Sequence, residues 1–248
     1  MSLFNEKLKN IRLKEVLSLI ISLFLVQYFL NVFEIVHIDS FWIYLVLILY
    51  LMYRLRDDLP DKSDFKSVFS GSVFREMVMI VVLNVFLSYG FLYLSDYLLN
   101  FIPSFNLSYS ITGIGLLATI LISPISEELI FRGVFLNRLQ LVVPTVFAVL
   151  ISSLLFASLH SYGSITSAFV FGICMAILYL KNGNVLVVIF AHFLNNLLAE
   201  IIVMMDSGKI LFTSDVVVGV MSVLAVISFV MVLNFIVREL KYINNNKL

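Results

Sequence analysis

Glu127 and Glu128 stand side by side in Ser123-Pro124-Ile125-Ser126-Glu127-Glu128-Leu129-Ile130-Phe131-Arg132-Gly133, downstream of a largely apolar run. An ionised side chain at the centre of a lone membrane helix costs about 2.5–3.5 kcal/mol, so three left unpaired would cost roughly 8–10 kcal/mol. That is comparable with the whole stability of an ordinary domain, so something must offset it. On a helix Arg132 follows Glu128 by four residues, and the two can pair on one face. Glu127 lies roughly 100° away around the same helix and is left without that partner. A carboxylate held there is the kind of group that general acid–base chemistry uses.

The chain has three histidines. His160 closes Phe156-Ala157-Ser158-Leu159-His160, and His192 lies in Ala191-His192-Phe193-Leu194-Asn195-Asn196. Glu127 and His160 are equidistant from Val143-Pro144, so an antiparallel hairpin turning there sets them level. His192 and Asn196 are four apart and share a helical face, which Glu200 continues one turn later. His192 falls roughly 12–15 Å along its helix from the Asn182-Gly183-Asn184 turn. A common site then requires the hairpin to project about 10 Å beyond the membrane, or to bend at Pro124 or Gly133. The blander readings are a structural ion-pair cluster for Glu127-Glu128-Arg132 and an interhelical clasp for His192-Asn196. Asn195, Asn84 and Asp96 read as helix contacts, Glu200 as a supporting or cavity-facing group, and His37 as solvent-facing.

The elements that must position these residues are membrane helices. Of 248 residues 61% are hydrophobic, and the mean hydropathy is +1.06, which predicts an all-α, polytopic transmembrane bundle. A formal charge of zero provides no basic footprint for nucleic acid. Cys174, the single cysteine, lies in an apolar run and reads as a packing residue. The first apolar run is too long for a cleavable signal peptide.

About eight spans are expected, over 16–33, 38–53, 73–99, 110–140, 144–160, 165–180, 185–205 and 216–237. The first fifteen residues read as a polar segment, 54–66 as a charged loop containing Pro60, and 101–106 and 161–164 as turns. All sixteen Lys and Arg side chains except Lys209 then fall on one side, which predicts cytoplasmic N- and C-termini. No repeat, soluble domain or linker interrupts 1–248, so a single integral membrane domain is expected, with the catalytic helices within 110–205.

Glu127-Glu128-x-x-x-Arg132, Phe156-x-x-x-His160 and His192-x-x-x-Asn196, in that order on successive apolar helices, resemble the CPBP family. That family comprises the type II CAAX prenyl endopeptidases and the bacteriocin-processing or immunity (Abi) membrane proteins. The resemblance implies an eight-helix intramembrane endopeptidase with a cavity open to the cytoplasm. By analogy Glu127 activates water with help from His160, while His192 and Asn196 stabilise the oxyanion. Glu128 and Arg132 support the Glu127 helix. Glu127, His160 and His192 are also the ligand types of a catalytic zinc site, so a divalent metal such as zinc is the alternative to a metal-free mechanism. The latter is preferred because Asn196 beside His192 suits an oxyanion site better than a metal shell.

The substrate implied is a membrane-associated or lipidated peptide or protein. The Asn-, Lys-, Phe- and Ile-rich composition points to a bacterial cell membrane, where a peptide pheromone or bacteriocin precursor fits better than a prenylated protein. The competing function is a non-proteolytic immunity protein or sensor-kinase modulator that retains the motifs as architecture.

Overall fold

The computed structural model describes residues 2–35, 39–99, 113–160, 165–206 and 210–246. His37, Lys209, Lys247 and the turns expected at 101–106 and 161–164 lie outside the described residues, as does the side chain of Asp96. Among the described residues every regular element is helical.

Helix α1, Leu3–Asn10, starts at Ser2, whose hydroxyl accepts the Asn5 N–H. The opening segment, read as merely polar, thus folds as an amphipathic helix that buries Phe4 and Leu8. Its apolar residues recur at the four-residue spacing that gives a helix one buried face. Helix α2, Leu13–Val32, buries only Val16; its many exposed Leu, Ile, Val and Phe side chains suit a lipid surround. Glu15 ties it to α3, Ser40–Arg54, by accepting from the Tyr50 hydroxyl at 3.0 Å and pairing with Arg54 at 3.1 Å. Ile43, Leu47 and Leu51 line the inward stripe of α3.

Part of the expected charged loop is a short helix, α4, Lys62–Val68, held by a reciprocal capping box between Asp61 and Asp64. Helix α5, Gly71–Leu99, packs along the C-terminal helix introduced below. Next comes α6, a continuous helical stretch over 113–139 whose middle bears the glutamates. Pro144 turns the chain into α7, Thr145–Ala157, which runs back beside α6.

Helix α8, Ile165–Asn182, is apolar around most of its circumference and sits at the centre of the bundle, with Phe171 to Tyr179 buried without interruption. Gly183 then adopts φ +61°, the left-handed turn that glycine enters without steric cost. Asn184 caps α9, Val185–Met205, by accepting the Leu186 N–H. After α10, Ile210–Thr213, helix α11, Asp215–Asn246, continues nine residues beyond the expected end at 237. A Cβ on Gly90 of α5 would lie 2.6 Å from the Ala225 Cβ of α11, so the two backbones approach closely there.

Five helices are long and apolar enough to cross a membrane: α2, α5, α8, α9 and α11. With the shorter apolar α3 and α7, they mark an integral membrane protein. Cys174 is buried in α8, as its apolar surroundings predict.

The N-terminal segment is tied into the bundle by buried amides. The Val185 N–H donates to Asn5 Oδ1 at 2.9 Å, and Asn184 Nδ2 donates to Ser67 Oγ at 2.7 Å and to the Asp64 carbonyl at 2.9 Å. Arg138, near the end of α6, donates from Nε to the Ile11 carbonyl at 2.8 Å. Helix α1 is thereby pressed against the part of α6 that carries Arg132, where the Leu8 side chain occupies the space a Cβ on Gly133 would take.

Candidate active site

Helix α6 is not a regular α-helix. Wider π-helical turns over Ala118–Ile122 and Leu129–Leu136 flank the α-helical segment Ser123–Glu128. Such turns bond across five residues instead of four and cluster at functional sites. The sequence supplies a cause for the first. The Ser123 N–H bonds to the Ala118 carbonyl, and the next donor in that register would be residue 124, a proline without an N–H. The Thr119 carbonyl is thus left to a side chain, and Asn196 Nδ2 donates to it at 2.9 Å. In the second π turn Asn137 Nδ2 donates to the carbonyls of Arg132 and Gly133, at 2.9 and 2.7 Å.

Glu128 and Arg132 are fully buried. Arg132 Nη1 donates to Glu128 Oε1 at 3.0 Å, and Nη2 donates to the Gly172 carbonyl at 3.0 Å. The guanidinium carbon lies 4.4 Å from the Phe156 ring centroid, where the π face adds attraction for the cation. Gly172 lets α8 lie close against α7 here, since a Cβ there would meet the Ser153 Cβ at 3.1 Å and Phe156 Cδ1 at 3.3 Å. The expected pairing along α6 is therefore present, and it extends into α8.

Glu128 does more than hold Arg132. Its Oε1 also lies 2.8 Å from His192 Nδ1 on α9. Because a carboxylate only accepts, Nδ1 carries a proton, and in a neutral ring Nε2 then presents a lone pair. That Nε2 faces Glu127 Oε2 at 4.0 Å. The separation exceeds a direct hydrogen bond and matches two acceptors sharing one water. Glu127 is 5% exposed and His192 3% exposed, so both face each other within the protein rather than in bulk solvent.

Sequence reasoning missed two neighbours of Glu127. The Ser123 hydroxyl, one helical turn earlier, donates to Glu127 Oε1. The Tyr44 phenol of α3 makes side-chain contacts with both Glu127 and Ser123. The spacing of Ser123 and Glu127 was a readable signal; nothing in the sequence linked Tyr44 to α6.

His160 lies beyond the end of α7 in a turn closed by its own N–H to the Ala157 carbonyl at 3.0 Å. Its Nδ1 is 3.1 Å from the Phe156 carbonyl, so the bond that fixes the ring again leaves Nε2 open. The Phe156 ring lies between the two imidazoles, with centroids 4.8 Å from His160 and 5.7 Å from His192. His160 is within electrostatic range of Glu127, His192 and Arg132.

Asn195 and Asn84 make the helix contacts expected of them: Asn84 Nδ2 donates to Asn195 Oδ1 at 2.8 Å, and Asn195 Nδ2 donates to Asn196 Oδ1 at 3.3 Å. Glu200 is buried one turn beyond Asn196, with no hydrogen bond or ion pair to another described residue.

Glu127, His160 and His192 do not form a ready metal shell. Among the described residues no three His, Cys, Asp or Glu side chains come together in a way that could hold a metal ion.

Residues 110–198 match the family model described as Type II CAAX prenyl endopeptidase Rce1-like. No curated protein and no solved structure matches the chain. The matched residues include Glu127, Glu128, Arg132, His160, His192 and Asn196, the residues on which the resemblance rests. Residues 110–198, rather less than half of the chain, are thus similar to the type II CAAX prenyl endopeptidase Rce1-like family.

Proposed function

We propose that this protein is an intramembrane endopeptidase that hydrolyses a peptide bond in a membrane-associated or lipidated peptide, with Glu127 as the base that activates water. The observation that carries this reading is the 4.0 Å separation of Glu127 Oε2 from His192 Nε2, with His192 oriented through Nδ1 by Glu128. A water donating one proton to each acceptor turns a lone pair towards the substrate carbonyl.

Glu127 takes a proton from that water as its oxygen bonds to the amide carbon. The negative charge on the former carbonyl oxygen accepts a hydrogen bond from the second N–H of Asn196, whose first is held by Thr119. His160 adds a donor from Nε2 when its ring carries both protons. The Glu127 carboxylic acid then delivers its proton to the amide nitrogen, the carbonyl re-forms as the C–N bond breaks, and a carboxylic acid and an amine leave. Glu127 returns to its starting state.

The eight-span arrangement, with both termini and the opening of the site on the cytoplasmic side, belongs to this reading and is supported by the one-sided distribution of Lys and Arg. The test is turnover of internally quenched peptides by protein reconstituted in liposomes, using a farnesylated CAAX peptide, its unprenylated form and acylated peptides. Glu127→Gln is expected to lower kcat by about 100- to 10,000-fold, the range for losing a positioned acid–base group. Full turnover by a stable Glu127→Gln protein overturns the proposal, as does cleavage of none of the peptides combined with identical membrane peptidomes from cells expressing wild type and Glu127→Gln.

A further inference from the structure

Three carboxamides from two helices form one directed chain. Asn84 Nδ2 on α5 donates to Asn195 Oδ1, Asn195 Nδ2 donates to Asn196 Oδ1, and Asn196 Nδ2 donates to the Thr119 carbonyl. A side-chain amide can turn over, exchanging its donor for its acceptor, unless its partners forbid it. Here the last acceptor is a backbone carbonyl, which cannot donate and which Pro124 leaves open. It fixes the direction of the chain at that end, as the Asn84 donor does at the other. If Asn195 turned over, its oxygen would face the Asn196 oxygen; if Asn196 followed, its oxygen would face the Thr119 carbonyl.

Asn84 sits at the far end of this chain, 6% exposed. Its Oδ1 has no hydrogen-bond partner among the described residues. An amide that leaves its acceptor unsatisfied while its donor makes a 2.8 Å bond is held there for the donor. Residue 84 also lies outside 110–198, so the family resemblance assigns it nothing.

We infer that Asn84 is a positioning residue for peptide-bond hydrolysis: acting through Asn195, it keeps the Asn196 amide turned so that its free N–H faces the developing oxyanion. This rests on the reading of Asn196 as an oxyanion donor. Without the Asn84 donor the Asn195 amide is free to turn, and Asn196 loses the partner that fixes its oxygen. An aspartate at 84 is the sharper perturbation when ionised: it accepts only, so it draws the Asn195 N–H towards itself and turns the Asn195 oxygen against that of Asn196.

The test uses full-length protein in liposomes, the quenched peptide that wild type cleaves fastest, and a phosphinic analogue of that peptide whose tetrahedral anion mimics the oxyanion. Asn84→Leu removes the donor with a side chain well suited to a membrane helix, and Asn84→Asp changes it within the same outline. Both are expected to lower kcat about 10- to 100-fold, as small misplacements of catalytic groups do. KM should stay within about twofold, and phosphinate affinity should fall by the same factor as kcat. In an Asn196→Ala background Asn84→Leu is expected to change kcat by less than about twofold, because the path it acts through is gone.

Unchanged kcat and phosphinate affinity in a stable Asn84→Leu protein overturn the inference. Equal losses with and without Asn196 overturn it as well, since they mark a packing role. If Asn196→Ala itself leaves phosphinate affinity unchanged, the oxyanion assignment fails, and the role of Asn84 fails with it. Should Asn84→Asp not fold, Asn84→Leu and the Asn196 background decide the matter alone.

Discussion

His192 Nδ1 lies 2.8 Å from Glu128 Oε1. The glutamate that pairs along its own helix with Arg132 therefore also fixes an imidazole on α9, and one carboxylate oxygen holds both the guanidinium and the ring. These two duties are separable. Breaking a buried ion pair from one side typically costs about 3–5 kcal/mol, whereas replacing both members by apolar residues is often neutral or stabilising.

Glu128→Leu and Arg132→Leu alone are accordingly expected to lower thermal stability sharply, and the double variant to recover most of it. Turnover should not recover, because His192 remains without its orienting partner. Melting temperature in detergent and kcat in liposomes check the two halves. A double variant with wild-type kcat would show that His192 needs no help from Glu128.

The Ser123 hydroxyl donates to the oxygen of Glu127 that does not face His192. Removing it in Ser123→Ala frees the carboxylate to rotate. The expected result is a loss in kcat of about tenfold at nearly constant KM. Tyr44→Phe, which removes a second contact to Glu127, should act in the same direction, and the double variant should fall short of additivity because both act on one carboxylate. Additive losses would place the two residues on independent tasks.

The donor arrangement around Glu127 predicts that peptidase activity survives strong chelation. No three potential ligands converge among the described residues. Dialysis against EDTA and then 1,10-phenanthroline should leave kcat unchanged. Loss of activity with recovery on adding zinc would reverse the assignment.

Packing behind the site makes a separate prediction. A Cβ at position 133 would lie 2.5 Å from Leu8 Cδ2 and 2.8 Å from its Cγ, and Leu8 is fully buried. Gly133→Ala is expected to cost about 1–3 kcal/mol through overpacking. Leu8→Ala introduced alongside should restore part of that loss by clearing the space. Thermal unfolding of the three variants checks this, and a double variant less stable than both single ones would refute it.

Much of the helical framework was legible because hydropathy and turn chemistry report it directly. The bounds of α9 were readable at Val185 and Met205, since Asn182-Gly183-Asn184 supplies both the left-handed glycine and the capping asparagine. The pairing of Glu128 with Arg132 was readable from their spacing.

The bond from Glu128 to His192 was not, because the rotation of one helix against another is set by packing and has no sequence period. The π turns of α6 were missed for a different reason. Pro124 was considered as a bend, whereas its missing N–H also leaves the Thr119 carbonyl for Asn196. The α1 helix and the α4 capping box were hidden within segments whose charge suggested loops. Phe4 and Leu8, and Asp61 with Asp64, were the signals that a closer reading of local pattern would have caught.

The carbonyl of Thr119, spent on a neighbour's amide rather than on its own helix, has a mechanical consequence. Sliding or rolling α6 against α9 would tear that link at the level of the chemistry, so near the glutamate the two helices travel as one body. Whatever room an incoming chain requires has to be made elsewhere in the wall. Among the five long apolar helices the one with least to lose by yielding is α2, which buries a single side chain.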